Sequence, residues 1–253
     1  MLKFSGENAK LKDISNWIGY KPKVYSFSLP SGYTCPSALD CLSKADRATG
    51  KITDSKDTKY RCFSASTESM FPSVRNQRWH NFEQLRKLNK EAMVEAIQAD
   101  LPKDMDILRV HVGGDFFNQS YFDAWMEVGR LNPTKTFYAY TKSLNYWIAS
   151  IDNIPDNFIL NASRGGKHDN LIKGKGNRKD LKVAEVVFSI EEAEANNLSI
   201  DHNEFYALTD NGNFALLLHG PQPKGSKAGE AKKRMDKQGV KYSYSRKREA
   251  VAV

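Results

Sequence analysis

Residues 31–65 read SGYTCPSALDCLSKADRATGKITDSKDTKYRCFSA and contain all three cysteines of the chain, Cys35, Cys41 and Cys62. An alternating polar and apolar run at 23–29 precedes this stretch and predicts a β-strand. Apolar residues at helical spacing between 72 and 101 predict a long helix after it. The twenty residues between the last two cysteines are mostly polar, which predicts an exposed excursion. Three sulfurs directly after a first strand suggest a metal site at the end of that strand.

Strand-like and helix-like runs alternate along the rest of the chain. Strands are predicted at 106–112, 136–141, 158–162 and 183–188, and helices at 120–131, 144–151 and 190–196. This alternation predicts an α/β fold, with either a partial (βα) barrel or an open parallel sheet and with helices outside. Two further strands are predicted at 205–208 and 214–218, and the turn sequence Asp210-Asn-Gly212 predicts a hairpin between them.

The pattern predicts one main domain at 23–220, which contains the cysteine loop 31–65. Residues 1–22 would form an N-terminal lid or wrap, and residues 221–253 a basic C-terminal extension. The first residues lack the apolar core of a signal peptide, and no window approaches the roughly 20 apolar residues that span a bilayer. An odd number of cysteines also argues against a secreted disulfide framework. We therefore expect a cytoplasmic protein without a membrane partner.

The charge of the chain favours acidic partners. The formal net charge is +8 and the isoelectric point is near 9.2. Basic residues concentrate between Arg164 and Lys182 and between Lys224 and Arg248. These segments predict contact with nucleic acid or another polyanion through its phosphates. A solvated charged face is the alternative explanation of the same residues.

Polar motifs follow successive predicted strands, and the carboxyl ends of such strands are where α/β proteins bind ligands. The motifs, in chain order, are the cysteine loop, Gly113-Gly114-Asp115, Tyr140-Thr-Lys142, Asn161-Ala-Ser163 and His219-Gly220. Three cysteines could hold three corners of a 4Fe–4S cluster and leave its fourth iron open to a small ligand. With His80 or another group they could instead bind a structural zinc ion, or they could be free thiols.

Several other residues are candidates for the same site. His111, Asp115, Tyr140 and Lys142 are the candidate catalytic residues, because each brings a titratable group to the predicted pocket. The cofactor-binding candidates are Gly113, Gly114, Asp115, Asn161 and Ser163. Glycines allow close backbone approach by a ligand, and the two polar residues of the fourth strand share one face. A tight turn, a core histidine and packed tyrosines remain the structural alternatives.

Several stretches of the chain carry a resemblance to a known family. They are Ser26-Phe-Ser-Leu-Pro-Ser-Gly-Tyr-Thr-Cys-Pro36, Arg61-Cys-Phe-Ser-Ala65, Arg109-Val-His-Val-Gly-Gly-Asp-Phe-Phe117, Tyr121-Phe-Asp-Ala-Trp125, Phe137-Tyr-Ala-Tyr-Thr-Lys142 and His219-Gly-Pro-Gln222. Together they resemble the phage family "gene product 88". The resemblance spans most of residues 23–230 and implies a viral source more than a reaction.

The architecture is also similar to that of the radical S-adenosylmethionine superfamily. That resemblance implies that Cys35, Cys41 and Cys62 ligate a 4Fe–4S cluster. It further implies that Gly113-Gly114-Asp115 receives the amino group of S-adenosylmethionine and that Asn161 or Ser163 meets its ribose. Family members usually place three and two residues between the cysteines, whereas here the gaps are five and twenty, and Asp115 replaces the usual Glu.

The leading hypothesis is therefore a phage-encoded iron–sulfur protein that resembles a radical S-adenosylmethionine enzyme, located in the cytoplasm of the infected host cell. His111, Tyr138, Tyr140 and Lys142 would line its pocket, and its substrate would be nucleic acid or a nucleotide. The alternative is a non-enzymatic nucleic-acid-binding or host-takeover protein, with a host protein as a further partner, whose cysteines hold a structural cluster or zinc. A third option is a nuclease that uses Asp115, His111 and a divalent ion.

Overall fold

A computed structural model describes residues 1–240. Its strands are β1 (Val24–Phe27), β2 (Ser43–Ala45), β3 (Ile52–Asp54), β4 (Ile107–Val110), β5 (Thr136–Thr141), β6 (Phe158–Ser163), β7 (Val183–Val187), β8 (Ser199–Ile200) and β9 (Phe214–Leu217). Seven of them form one sheet in the order β1-β4-β5-β6-β7-β9-β8, and every neighbouring pair is parallel. The predicted α/β fold with a parallel sheet and helices outside is confirmed.

Helices connect the strands and cover the sheet. They are α1 (Phe63–Met70), α2 (Pro72–Leu85), α3 (Lys90–Asp100), α4 (Gln119–Leu131), α5 (Leu144–Ala149), α6 (Ile190–Ala195), α7 (Phe205–Leu208) and α8 (Lys227–Lys237). The main core lies between the sheet and helices α2 to α5, where Leu108 and Val110 of β4 pack with Phe122 and Trp125 of α4. Because alternate residues of a strand face opposite ways, Arg109 of β4 faces away from this core.

The opposite face of the sheet is covered by two separate parts of the chain. A 3-10 helix at Leu11–Asn16 buries Leu11 and Ile14 completely, and α7 buries Ala207. These residues form a second core with β-strand residues that include Tyr138 and Phe214. The N-terminal residues therefore pack on the sheet as part of its second layer. The predicted division into 1–22, 23–220 and 221–253 stays a prediction.

The cysteine loop contains a small antiparallel hairpin of β2 and β3. Asp46 organises its turn by accepting hydrogen bonds from the backbone of Ala48 and Thr49, at 3.1 and 2.7 Å. Arg75, a buried residue of α2, donates to the carbonyl of Arg47 at 3.0 Å and thereby ties the hairpin to the helices. The loop is thus a fixed part of the structure.

Three local predictions are wrong. The single helix expected at 72–101 is two helices, because Asn89 begins α3 by accepting a hydrogen bond from the Ala92 amide at 2.9 Å. Residues 205–208 form helix α7 instead of a strand, so the turn at 210–212 leads from α7 into β9 and no hairpin exists there. The predicted helix start at Ser120 is one residue late, because α4 begins at Gln119, directly after Asn118, whose side chain accepts from the Tyr121 amide.

The C-terminal extension includes α8, which is amphipathic. Its apolar residues Ala228, Ala231 and Met235 are buried against β9 and α6. The predicted extension therefore contains a packed helix, and residues 241–253 lie outside the described part of the chain.

Candidate functional site

A cavity of about 150 Å³ lies at the carboxyl ends of the parallel strands. It is lined by the three cysteines together with residues from the ends of β4, β5, β6 and β9. Most of the predicted site residues line it, namely Cys35, Cys41, Cys62, His111, Gly113, Gly114, Asp115, Tyr140, Lys142 and Ser163. We call it the cysteine cavity.

The three sulfur atoms have different hydrogen-bond environments. Cys35 accepts a hydrogen bond from the Gly32 amide, with a nitrogen–sulfur distance of 3.3 Å. Cys62 precedes α1, and its sulfur accepts from the Ser64 and Ala65 amides at the positive end of that helix. Cys41 receives a hydrogen bond from the Tyr60 hydroxyl. All three sulfurs therefore have donors that favour a thiolate.

Burial opposes the thiolate form in the metal-free protein. Desolvation raises the pKa of Cys35 and Cys41, and it raises the pKa of Cys62 to about 12. The neighbouring cysteine charges raise the pKa of Cys35 and Cys62 further. Without a bound metal, all three are thiols at neutral pH. A bound metal would remove this penalty, because it replaces the three protons with positive charge.

The described residues do not form a site for a single metal ion. Within residues 1–240, no three His, Cys, Asp or Glu side chains converge closely enough to hold one ion. His80, the suggested fourth zinc ligand, lies on α2, where its Nε2 atom is 2.7 Å from the Met1 carbonyl. The thiolates of an iron–sulfur cluster bind different irons and do not need to meet at one point. The 4Fe–4S cluster and the zinc ion both stay predictions.

The two glycines after β4 are packed tightly against the cysteine loop and α1. A Cβ atom on Gly113 would lie 2.2 Å from the Ser64 Oγ atom. Gly114 has a φ of +84°, and a Cβ there would lie 2.6 Å from the Thr34 Oγ1 atom. The space beside these glycines is filled by side chains of the protein itself. The absence of a Cβ atom therefore lets the cysteine loop and α1 pack closely against the end of β4.

Asp115 links the ends of β4 and β5. Its Oδ1 atom accepts hydrogen bonds from the Thr141 hydroxyl at 2.6 Å and from the Phe116 amide at 2.7 Å, and Oδ2 accepts from the Lys142 amide at 2.9 Å. Burial raises the pKa of Asp115 to about 6, although these hydrogen bonds oppose the shift. A carboxylate has about four acceptor positions, so Asp115 can accept one more donor.

Lys142 places a buried ammonium group beside the cysteines. Its Nζ atom donates to the Ser163 hydroxyl at 2.9 Å and to the Ser163 carbonyl at 3.2 Å, and it also donates to the Arg164 carbonyl. Its charge lowers the pKa of both Cys41 and Asp115, against the larger effect of burial. Lys142 is therefore the cation that would offset negative charge in the cavity.

Asn161 does not line the cysteine cavity. Its Nδ2 atom donates to the carbonyls of Ala139 and Ala207, at 3.3 and 3.1 Å, and thus ties α7 to the sheet. Its side chain lies in the layer below the cavity, so the structure favours Ser163 over Asn161 as a contact for a ligand there.

His111 is held in an unusual conformation at the end of β4. Its φ of +72° lies in the left-handed region, which costs a non-glycine residue energy and often marks functional positions. Nε2 lies 3.0 Å from the Tyr121 hydroxyl, whereas Nδ1 is buried without a hydrogen-bond partner within residues 1–240. Burial lowers the pKa of His111 to about 3, so the ring is neutral. Nδ1 remains available to a ligand in the cavity.

Tyr140 connects the cavity to a buried cluster of charges beneath it. Its hydroxyl donates to Glu204 Oε2 at 2.8 Å, and the Arg109 guanidinium lies 4.8 Å from the centre of its ring. Glu204 also binds Arg109 and Lys10, with nitrogen–oxygen distances of 2.7 and 3.2 Å. Burial would raise the pKa of Glu204, but these two cations hold it below its ordinary value. Tyr138 is completely buried in the core and does not line the cavity.

A sequence model of the family described as Gene product 88 matches residues 2–238. The chain belongs to the Gene product 88 family. "Gene 88 protein" of Mycobacterium phage L5 is 30% identical over 128 residues, and "Gene 88 protein" of Mycobacterium phage D29 is 29% identical over 128 residues. The alignments cover 46% of this chain and 47% of each relative, so the chain spans about half the length of the curated relatives it matches. No solved structure matches it significantly.

The family resemblance inferred from the sequence is thereby confirmed. The likeness to the radical S-adenosylmethionine superfamily stays a prediction. In this member of the Gene product 88 family, no helix within residues 1–240 is both long enough and apolar enough to cross a bilayer.

The basic loop from Arg164 to Lys182 is partly tied to the protein. Arg164 and Lys173 pair with Glu185 and Asp180, and Lys167 donates to the Pro36 carbonyl at 2.6 Å. Its contact with nucleic acid stays a prediction. Of the segment from Lys224 to Arg248, only the part up to residue 240 is described.

Sequence reasoning missed a buried ion pair that supports the cysteine loop. Glu68 of α1 is fully buried and accepts hydrogen bonds from Arg78 at 2.5 Å and from the Ser31 hydroxyl at 2.7 Å. Arg78 also donates to Ser64 Oγ at 2.5 Å. Glu68 lies on α1 and Arg78 on α2, so no helical spacing in the sequence pairs them. Tyr60, which contacts Cys41, had no distinguishing pattern.

Proposed function

We propose that the chain is an iron–sulfur protein in which Cys35, Cys41 and Cys62 ligate a 4Fe–4S cluster. The observation that carries this proposal is that three half-buried thiols line one cavity at the carboxyl edge of a parallel sheet. A cavity of about 150 Å³ has room for a compact inorganic group. A cluster needs thiolates, and cysteine is the usual ligand of such clusters.

The surrounding residues suit this role. Amide hydrogens at Cys35 and Cys62, the Tyr60 hydroxyl and the Lys142 ammonium group would all stabilise negative charge on cluster sulfurs. Hydrogen bonds to the sulfurs and net charge are the main ways in which a protein tunes the potential of a cluster. We therefore expect Lys142 to raise the reduction potential.

With three protein ligands, the fourth iron would be open to a chelating molecule, and we propose S-adenosylmethionine for that position. When bound there, this cofactor supplies radical chemistry. Asp115 has one acceptor position for its ammonium group, and Lys142 would offset its carboxylate. Ser163 and the unpartnered Nδ1 of His111 would contact the other polar groups of S-adenosylmethionine.

The phage relatives and the basic charge of the chain support a role in the infected cell. We propose that the protein works in the host cytoplasm, with nucleic acid or a nucleotide as its substrate. Phosphate contacts would make the binding dependent on salt.

Anaerobic purification with iron, sulfide and zinc analysis tests the cluster. Wild type should contain about four irons and four sulfides per chain and absorb near 400 nm, and each Cys→Ala variant should lose both properties. Ser55→Ala, in the same loop but outside the cavity, is the matched control and should keep the cluster. One zinc per chain without sulfide would refute the proposal.

A second candidate function is a binding protein in which the metal only fixes the cysteine loop. The tight packing of Gly113 and Gly114, and the hydrogen bonds that already satisfy much of Asp115, favour this candidate. Equilibrium dialysis of the cluster-loaded protein with S-adenosylmethionine separates the two. Binding at about one molecule per chain supports the enzyme, and a loaded cluster without binding supports the structural role.

A further inference from the structure

A second and much larger cleft adjoins the cysteine cavity. Its volume is about 770 Å³, within the range of about 300–1,000 Å³ that is typical of small-molecule sites. The cleft lies between the N-terminal residues, the β1 edge, helices α1 and α2, and α8. Phe63, Val112 and His219 line both spaces, so the cleft and the cysteine cavity share a wall. We call it the edge cleft.

The chemistry of the edge cleft suits an uncharged ligand rich in hydrogen-bonding groups. Its polar lining is dominated by hydroxyls and amides, among them Ser5, Asn8, Ser28, Thr67, Gln77 and Gln222. Its charged residues are already paired, since Arg78 binds Glu68 and Lys232 binds Asp236. A phosphate or a carboxylate would find no surplus charge inside the cleft.

One wall of the cleft provides an aromatic surface. The ring of Phe63 is half-buried, and it contacts the ring of His219 with centroids 4.7 Å apart. Phe63 directly follows Cys62, so a planar group that stacks on its ring would lie next to the cysteine cavity. Aliphatic contacts come from Met70 and Val74 on the neighbouring helices. Nucleobases stack on aromatic side chains in this way.

The rim of the cleft, in contrast, is basic. Helix α8 carries five basic and two acidic side chains, and it turns Lys232 and Asp236 toward the cleft. One position further around the helix, on the side away from Met235, lie Lys233 and Lys237, which are both exposed. A neutral interior with cations at the mouth matches a nucleoside whose phosphate remains outside.

We propose that the edge cleft binds the nucleoside part of a nucleotide or of a single nucleic-acid strand. The base stacks on Phe63, the ribose and base edges bond to the hydroxyl and amide groups, and the phosphates meet Lys233 and Lys237. In a strand, the base would leave its neighbours to enter the cleft, as in enzymes that act on single bases. This inference deepens the proposed function, because it names the group that would face the cysteine cavity.

Binding of nucleoside monophosphates and of a labelled single-stranded DNA of mixed sequence tests this proposal. Wild type should bind at least one monophosphate and the strand at low salt. Val74→Trp should fill the cleft and weaken the binding of both ligands by about tenfold or more, because the stacking of one base contributes roughly this much to affinity. Asn76→Trp, exposed on the same helix and outside the cleft, should change neither. Met70→Trp serves as a second blocking variant at a half-exposed position where folding is less at risk.

Charge reversal at the rim distinguishes a free nucleotide from a nucleic-acid strand as the ligand. Lys233→Glu with Lys237→Glu should weaken strand binding about tenfold at low salt and change monophosphate binding less. Lys87→Glu with Lys103→Glu, exposed residues remote from α8, should leave both unchanged. Monophosphates that bind as tightly as the strand identify a free nucleotide as the ligand, and tighter strand binding identifies nucleic acid.

The proposal is overturned if neither ligand binds at low salt, or if binding is unaffected by both Val74→Trp and Met70→Trp. The iron content of each preparation is measured in parallel. A chain without a cluster that still binds a nucleotide refutes the proposed iron–sulfur function alone, and a loaded cluster without nucleotide binding refutes the edge-cleft assignment alone.

Discussion

The Nη1 atom of Arg109 lies 2.7 Å from the Oε1 atom of Glu204, although the two residues are 95 positions apart in the chain. This buried pair connects β4 to the start of α7, and Lys10 and Tyr140 bind the same carboxylate. The N-terminal layer, the sheet and the floor of the cysteine cavity are thus joined at one glutamate.

Replacing Glu204 with Gln should strongly destabilise the protein. The change leaves Arg109 and Lys10 buried with too little negative charge, which we expect to lower the free energy of unfolding by about 3–5 kcal/mol. Urea denaturation measures this loss. Glu83→Gln removes the exposed partner of Arg47 and Arg86 and should cost about 1 kcal/mol or less. Equal losses in the two variants would contradict the role given to Glu204.

His111 should make the metal-free protein sensitive to acid. Burial lowers its pKa from 6.5 to about 3, so the unfolded chain takes up a proton at a higher pH than the folded protein. The folded protein is therefore most stable, with respect to this residue, above pH 6.5, where the ring is neutral in both states. This stability is lost as the pH falls toward 3, because only the unfolded chain takes up the proton. Between pH 7 and about 4.5 the loss should be roughly 2–3 kcal/mol.

Urea denaturation of His111→Gln at both pH values checks this expectation, since glutamine cannot titrate. The variant should lose less stability on acidification than wild type does. A His111→Gln profile identical to that of wild type would show that the histidine is not buried as described.

Gly113→Ala should lower the melting temperature. Its Cβ atom would collide with the Ser64 hydroxyl and with the guanidinium of Arg78, which Glu68 holds in place. We expect a loss of about 1–3 kcal/mol from this overpacking. Gly6→Ala is the control, because a Cβ there meets nothing within 4 Å. A thermal melt in which both variants match wild type would show that the turn can open freely.

The parallel sheet could be predicted from the sequence because strands alternate with helices along the chain. In such a sheet, the residues that follow the strands lie together at its carboxyl edge, which is where the cysteine cavity is found. Helix α7 was mistaken for a strand because Phe205 to Leu208 is short and apolar, and periodicity cannot decide between the two states over four residues. The charge cluster at Glu204 could not be predicted, because its members are brought together only by the tertiary fold.

Asn161 shows the same limit within the site. The sequence places it on the fourth strand near the cavity, but its amide is used to hold the carbonyl of Ala207 in the second layer. Whether Asn161 or Ser163 faces a ligand depends on which element packs against the strand. That element is α7, which the sequence did not predict as a helix. The three cysteines could be grouped from the sequence because the chain holds no others. They line one cavity, and their role as metal ligands stays a prediction.

Lys142→Met should lower the reduction potential of a cluster held by the three cysteines. The variant removes the buried cation that favours negative charge near Cys41, so the reduced cluster becomes harder to form. A redox titration should show a shift of tens of millivolts to more negative values. Lys59→Met, which removes an exposed ammonium group paired with Asp40, should shift the potential little. An unchanged potential in Lys142→Met would place the cluster away from this lysine.

The most direct test of a three-cysteine cluster with an open iron is electron paramagnetic resonance of the anaerobically purified, reduced protein. Spectra are recorded before and after S-adenosylmethionine is added. The account predicts the signal of a reduced 4Fe–4S cluster, a change in that signal when the cofactor binds, and no signal in Cys62→Ala. A chain that contains no iron and gives no cluster signal would contradict it.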